Sequence, residues 1–211
     1  MDPEMTSAGS DPRIAVLISG RGSNLQALLD ADRLGQLGGS IAIVVSNRPD
    51  APGLTRAQDA GIPALIVNHK DYADRAAFER ALVDVLRAAD VSLVCLAGFM
   101  RLLGPTFLDA FPNAILNIHP SLLPAFPGTD AARQAWAHGV KVAGATVHLV
   151  TGELDGGPIV RQAAVPLQDD DTADTLAARI LIEEHRIYAE AVRDVLSGAW
   201  TIDGRRFVRR R

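Results

Sequence analysis

The segment Ala114-Ile115-Leu116-Asn117-Ile118-His119-Pro120 carries the chain's most chemically suggestive pair. Apolar residues give way to Asn117 and His119, one residue apart. In a strand, positions i and i+2 share a face and lie about 6.6 Å apart. An amide and an imidazole would therefore project together from the carboxyl end of a buried strand, where open α/β sheets bind their ligands. Such a pair can stabilise an oxyanion and move a proton. The plainer alternative is a histidine that only bonds the core. The next residues, Pro120 to Gly128, include Pro120, Pro124 and Pro127. That composition excludes helix and central strand, so a stiffened loop over the site is expected. Its Leu123–Pro124 bond is a candidate for the cis form.

Two further loops could supply chemistry. Ser19-Gly20-Arg21-Gly22-Ser23-Asn24-Leu25 follows an apolar run and opens a helical pattern. It is not a Walker A loop, and Leu25 stands where a dinucleotide fingerprint has its third glycine. It suits one phosphate group, held by the Gly22 and Ser23 N–H groups, the Ser23 hydroxyl and the Asn24 amide. The competing account is a tight turn with Ser23 or Asn24 as N-cap. Thr151-Gly152-Glu153-Leu154-Asp155-Gly156-Gly157-Pro158 reads as a turn-rich connection between two apolar runs. If Asp155 lies beside His119, its carboxylate favours the imidazolium, which suits a general acid near neutral pH. Spacing alone does not place the two together.

Elements of one fold class must position these loops. Arg13–Ser19, Ser40–Ser46, Pro63–Val67, Val91–Leu96 and Ala114–His119 read as buried strands. Helical patterns over Asn24–Ala31, Gly53–Ala60 and Arg75–Ala89 alternate with them. The alternation predicts an α/β fold: an open, mostly parallel, twisted sheet with helices on both faces, Rossmann-like in order. Ala143–Val150 and Ile159–Val165 read as longer strands, antiparallel in the C-terminal third. Thr172–Leu196 reads as one long helix capped by Thr172 or Asp171. Asp203-Gly204 sits between two short apolar pieces, as in a hairpin. We expect a disordered leader over 1–12 and a single domain over 13–211. Residues 13–113 would form its phosphate-binding half and 114–211 its catalytic half.

Composition removes several classes. At 48% hydrophobic and 22% charged, the chain is ordinary globular material, not a disordered one. No apolar run is long enough to span a membrane. Lys and Arg number 21 against 25 acids, and five of those cations are Arg205, Arg206, Arg209, Arg210 and Arg211; without this tail 16 stand against 25. An acidic body disfavours nucleic acid as a partner. The one cysteine, Cys95, excludes an internal disulfide and reads as core; with no secretory signal, the cytoplasm is the expected compartment. No His and acid cluster calls for a metal, and His69, His138, His148 and His185 have no partner suggested by spacing.

Taken together, LISGRGSNLQALL, SNRPDAPGLTRA, LAGFMRLL, LNIHPSLLPAFPG, VHLVTGELDGGPIV and EEHRIY resemble the folate-dependent formyltransferases. They run in the family's order from Arg13 to Tyr188. The resemblance implies formyl transfer from 10-formyltetrahydrofolate as co-substrate, with no metal. The GSN loop resembles the branch whose acceptor is the amine of glycinamide ribonucleotide, in purine biosynthesis. By resemblance, Gly22, Ser23 and Asn24 hold the acceptor's phosphate. Leu181, Ile182, Glu183 and Glu184 line the same substrate, with Glu184 on the ribose hydroxyls. Arg75, Met100, Arg101, Leu102, Leu103 and Asn117 are assigned to the folate, as are Thr151, Gly152, Glu153, Leu154 and Asp155. Asn117, His119 and Asp155 form the catalytic group. A homodimer is an allowed assembly.

Two rivals use the same Asn-His-Asp chemistry. A methionyl-tRNA formyltransferase calls for a C-terminal nucleic-acid domain, where about 25 residues follow Arg186. A formyltetrahydrofolate deformylase calls for an N-terminal regulatory domain, where 12 residues precede the first strand. A dinucleotide-dependent oxidoreductase is the rival of another class. It wants an acid closing the second strand, and that strand runs into Ser46-Asn47-Arg48.

Overall fold

Residues 14–18 are buried without a break, so both faces of the first strand must be covered. In the computed structural model, which describes residues 11–210, that is so. Ile14, Val16 and Ile18 point into one apolar cluster and Ala15 and Leu17 into another. The strand, β1 (Arg13–Ile18), lies near the middle of a nine-stranded sheet. The others are β2 (Ser40–Ser46), β3 (Ala64–Ile66), β4 (Leu93–Leu96), β5 (Ile115–His119), β6 (Val142–Leu149), β7 (Ile159–Pro166), β8 (Trp200–Asp203) and β9 (Arg206–Arg209). Their order is β3-β2-β1-β4-β5-β6-β7-β9-β8. The pairs from β3 to β5 are parallel, β5–β6 and β6–β7 are antiparallel, and the hairpin joins β7 through a single parallel pairing. The chain reverses direction across the sheet between β1 and β4, the switch point at which such sheets bind ligands.

Helices α1 (Ser23–Arg33), α2 (Gly53–Asp59), α5 (Ala131–His138) and α6 (Ala173–Leu196) contribute to one cluster, and α3 (Arg75–Ala88) and α4 (Pro105–Leu108) to the other. The long α6 is opened by a capping box at Thr172 and buries Leu176, Ile180, Glu184, Ile187, Tyr188, Ala191, Val192 and Val195. That spacing turns one stripe onto the sheet. Tyr188 is fully buried, and its hydroxyl reaches Leu96 O (3.0 Å) and Leu116 O (3.3 Å) at the ends of β4 and β5.

Some expectations need correction. Helix α1 starts at Gly22 in the left-handed region (φ 73°) with no side-chain cap, so neither Ser23 nor Asn24 is the N-cap. A Cβ on Gly22 would lie 2.9 Å from Gly53 Cα, so the loop and α2 meet backbone to backbone at this point. In the hairpin only Gly204 has positive φ (59°), while Asp203 belongs to β8. Helices α4 and α5 are not among the expected elements; both are short, α4 opens on Pro105 and α5 follows the proline-rich loop. Of the expected leader, residues 1–10 lie outside the described residues, as does Arg211 of the tail.

Replacing Tyr188 with Phe should remove the one buried hydroxyl hydrogen that the Leu96 and Leu116 carbonyls share. We expect a loss of about 1–2 kcal/mol in urea unfolding with an unchanged m-value.

Candidate functional site

The register of β5 on β6 sets the site. Asn117 pairs with His148 and His119 with Thr146 across the antiparallel ladder. Asn117 Nδ2 lies 3.3 Å from His148 Nε2. The other His148 nitrogen faces Leu149 O at 2.9 Å. Asp155 arrives from the β6–β7 connection and closes the group. Its Oδ2 is 3.5 Å from His119 Nδ1, and its Oδ1 is 3.6 Å from His148 Nε2. Gly128 N–H donates to the same carboxylate at 2.8 Å. His119 Nε2 lies 2.8 Å from Phe126 O, on the proline-rich loop. A ring with hydrogen on both nitrogens satisfies that carbonyl and Asp155 together.

Burial pulls the Asp155 carboxyl upward. The hydrogen bond from His148, the Gly128 N–H and the charges of His119 and His148 outweigh it, so the group ends below the usual carboxylate range. Asp155 is therefore an anion at neutral pH. The loop that delivers it is tight: Asp155 has φ 49°, and a Cβ at Gly157 would collide with Leu149 O. The loop above is anchored from below. Thr146 Oγ1 donates to Ser121 O (2.6 Å) and accepts from Leu123 N–H (3.1 Å), and Gln162 donates to Leu123 O (2.9 Å). The Leu123–Pro124 bond is cis.

Beside this group opens a cleft of about 360 Å³. Of the residues expected to hold the folate, Arg75, Arg101, Leu102, Leu103, Asn117, Thr151, Gly152, Glu153, Leu154 and Asp155 line it. Met100 does not; its side chain is 73% exposed and its N–H donates to Ser19 Oγ (2.8 Å). Leu96, Phe99, Gly104, Pro105, Leu108, His148 and Val150 complete the lining. The cleft thus draws on residues either side of position 113. His119 is buried directly behind Asp155 and does not line it.

The glycine loop is next to the cleft wall: Ser19 N–H donates to Gly98 O at 3.2 Å. Asn24 is buried and donates to Glu184 Oε2 at 2.7 Å, while its own Oδ1 has no partner among the described residues. Of the four residues Leu181–Glu184, Glu184 alone makes that contact. Ile182 is 68% exposed and Glu183 pairs with Arg186 (2.7 Å). A cation not anticipated, Arg56 on α2, reaches Arg21 O (2.9 Å) and Gln26 (3.1 Å) against the loop. Spacing suggests no partner for His148, and strand pairing supplies them; no pattern within the sequence of β6 alone announces them. His69 likewise meets Asn47 (3.0 Å to its carbonyl). Cys95 is free and fully buried, and burial pushes its thiol up to about 12, which removes it as a nucleophile. Among the described residues no group of three or more His, Cys, Asp and Glu is placed to hold a metal, and no helix is long and apolar enough to cross a membrane.

Residues 12–192 match the family model described as formyl transferase. The chain belongs to the formyl transferase family. This formyl transferase is 44% identical over 184 residues to the phosphoribosylglycinamide formyltransferase of Bacillus subtilis, covering 87% of this chain and 94% of that one. It superposes on glycinamide ribonucleotide transformylase 1 of Symbiobacterium toebii with a TM-score of 0.94, 56% identity and 96% coverage of each chain. The trifunctional purine biosynthetic protein adenosine-3 of Bos taurus is 48% identical over 187 residues, 89% of this chain. The chain spans only 18% of that protein's length.

Burial drives the Glu184 carboxyl upward, and the hydrogen bond from Asn24 offsets this only in part. Its folded pKa is therefore above the unfolded one. The folded state holds the proton longer, so stability falls as pH rises from the unfolded value through the folded value, then levels. Glu184→Gln should therefore gain stability relative to the parent as pH climbs through that window. Urea midpoints from pH 4 to 8 check it; a constant difference across the range contradicts the assignment.

Proposed function

We propose that the chain transfers the formyl group of 10-formyltetrahydrofolate to the amine of glycinamide ribonucleotide, giving formylglycinamide ribonucleotide and tetrahydrofolate, in the cytoplasm. The observation that carries this reading is the meeting of Asp155, from the β6–β7 connection, with His119 of β5, beside a cleft that Asn117 and Asp155 both line. The folate would occupy that cleft, against Leu102, Leu103 and the 151–155 backbone. The acceptor's phosphate would sit on the Gly22–Asn24 turn, with Glu184 accepting from its ribose hydroxyls.

In this reading the acceptor amine attacks the formyl carbon. A carbon–nitrogen bond forms to the amine, and the bond to the folate nitrogen breaks. His119, assisted by Asp155, shuttles a proton from the attacking amine to the departing nitrogen. The Asn117 amide stabilises the developing oxyanion, and protonated His119 donates to the same oxygen. Asp155 remains charged throughout and holds the imidazole's Nδ1. Turning Nε2 from the Phe126 carbonyl toward the formyl oxygen is the movement the mechanism needs. No covalent enzyme intermediate is required. Holding both substrates in register supplies much of the acceleration.

His119→Ala, Asn117→Ala and Asp155→Ala should each lower kcat by about 10²–10³ while circular dichroism stays that of the parent. Formation of tetrahydrofolate, followed by absorbance with and without glycinamide ribonucleotide, is the assay. Near-parental turnover in all three folded variants refutes the roles. Formate release without the acceptor would point to a deformylase instead.

A further inference from the structure

Glu79 is a buried acid that the proposed chemistry does not use. It lies on α3 among Phe78, Leu82, Val83 and Leu86, and its side chain is 2% exposed. Desolvating a carboxylate is expensive unless it is matched. Its Oε1 accepts from Gly104 N–H at 2.6 Å and lies 3.6 Å from Arg75 Nε. One oxygen thus ties a cleft-wall backbone group to a cleft-wall cation.

Gly104 holds the same cation from the other side. A Cβ there would come within 3.0 Å of Arg75 Nη2 and 3.1 Å of Cζ and Nε. The guanidinium therefore lies flat on a bare backbone. The backbone conformation of Gly104 (φ −98°) admits any residue, so the Arg75 guanidinium, not chain geometry, is what a side chain there would displace. Arg75 and Gly104 both line the cleft.

We propose that Glu79 is a positioning residue, which with Gly104 fixes the Arg75 guanidinium as a preset cation for a carboxylate on the folate co-substrate. The inference rests on the reading of the cleft as the folate site. A long arginine side chain left free must lose its rotamer freedom on binding, and fixing it beforehand removes that cost.

The test is steady-state kinetics on the full chain, varying 10-formyltetrahydrofolate at saturating glycinamide ribonucleotide. Glu79→Gln keeps an acceptor for Gly104 N–H and loses the charge. We expect its KM for the co-substrate to rise about fivefold with kcat within about twofold of the parent. A formyl donor lacking the glutamyl carboxylates should not distinguish the two proteins. Arg75→Ala should raise the same KM, and adding Glu79→Gln to it should change nothing more. If Glu79→Gln fails to fold, Gly104→Ala serves, since it displaces the guanidinium without touching Glu79. It should raise the co-substrate KM, and only when Arg75 is present. A raised KM in Arg75→Ala with none in Glu79→Gln or Gly104→Ala overturns the positioning role alone. An unchanged KM in Arg75→Ala removes the cleft assignment, and the proposal with it.

Discussion

The Asp155 carboxylate is where three separately built pieces of chain meet. One oxygen faces His119 on β5, the other faces His148 on β6, and the Gly128 N–H of the proline-rich loop completes the shell. Its side chain is 8% exposed, so water does little to solvate it. An anion so buried is tolerable only if its partners are fixed in place. The register of β5 on β6 and the anchoring of the loop by Thr146 and Gln162 meet that demand. Slip β5 by one residue and Asn117 and His119 turn to the opposite face, away from His148.

The delivery of Asp155 has a conformational cost. The residue adopts φ 49°, a region that non-glycine residues occupy at a penalty of order 1 kcal/mol or more. Gly156 and Gly157 follow because a side chain at either would strike Glu153 or Leu149. From outside, Arg205 of the C-terminal hairpin donates to Gly156 O at 2.6 Å and pairs with Glu153 at 3.2 Å. A short strained loop held at both ends is a stiff mount, and stiffness is what an electrostatic partner for an imidazole requires.

What could be read before the structure, and what could not, divides by physical origin. Buried parallel strands announce themselves, because β1, β2, β4 and β5 are apolar runs closed by turn residues; their bounds fell within two residues. Asn117 and His119 share a strand, so local geometry alone groups them. Asp155 reached the same place only through antiparallel pairing, which no spacing encodes; the family resemblance carried it. His148 was overlooked for that reason, being one residue in an apolar strand whose significance lies in the partner strand. Helices α4 and α5 were hidden by neighbouring prolines and, in α4, by a length of one turn. The N-cap of α1 was misassigned because Ser and Asn are usual caps, whereas here close contact with Gly53 puts a glycine at that position.

The site contains two buried acids pushed in opposite directions, and the difference follows from their neighbours. Asp155 faces two imidazoles and a backbone N–H, and its carboxyl is held low. Glu184 faces one neutral amide in apolar surroundings, and its carboxyl is driven up. An acid held low is a permanent charge, suited to orienting an imidazole that must gain and lose a proton. An acid held high is close to neutral cost as a hydrogen-bonding group, suited to hydroxyls that present no charge. The unpartnered Asn24 Oδ1 beside Glu184 adds an acceptor to the same corner. Environments that separate the pKa values of two like groups separate their roles. In the proposed function, that difference assigns the orienting charge to Asp155 beside His119, and the hydroxyl-binding corner to Glu184 beside Asn24.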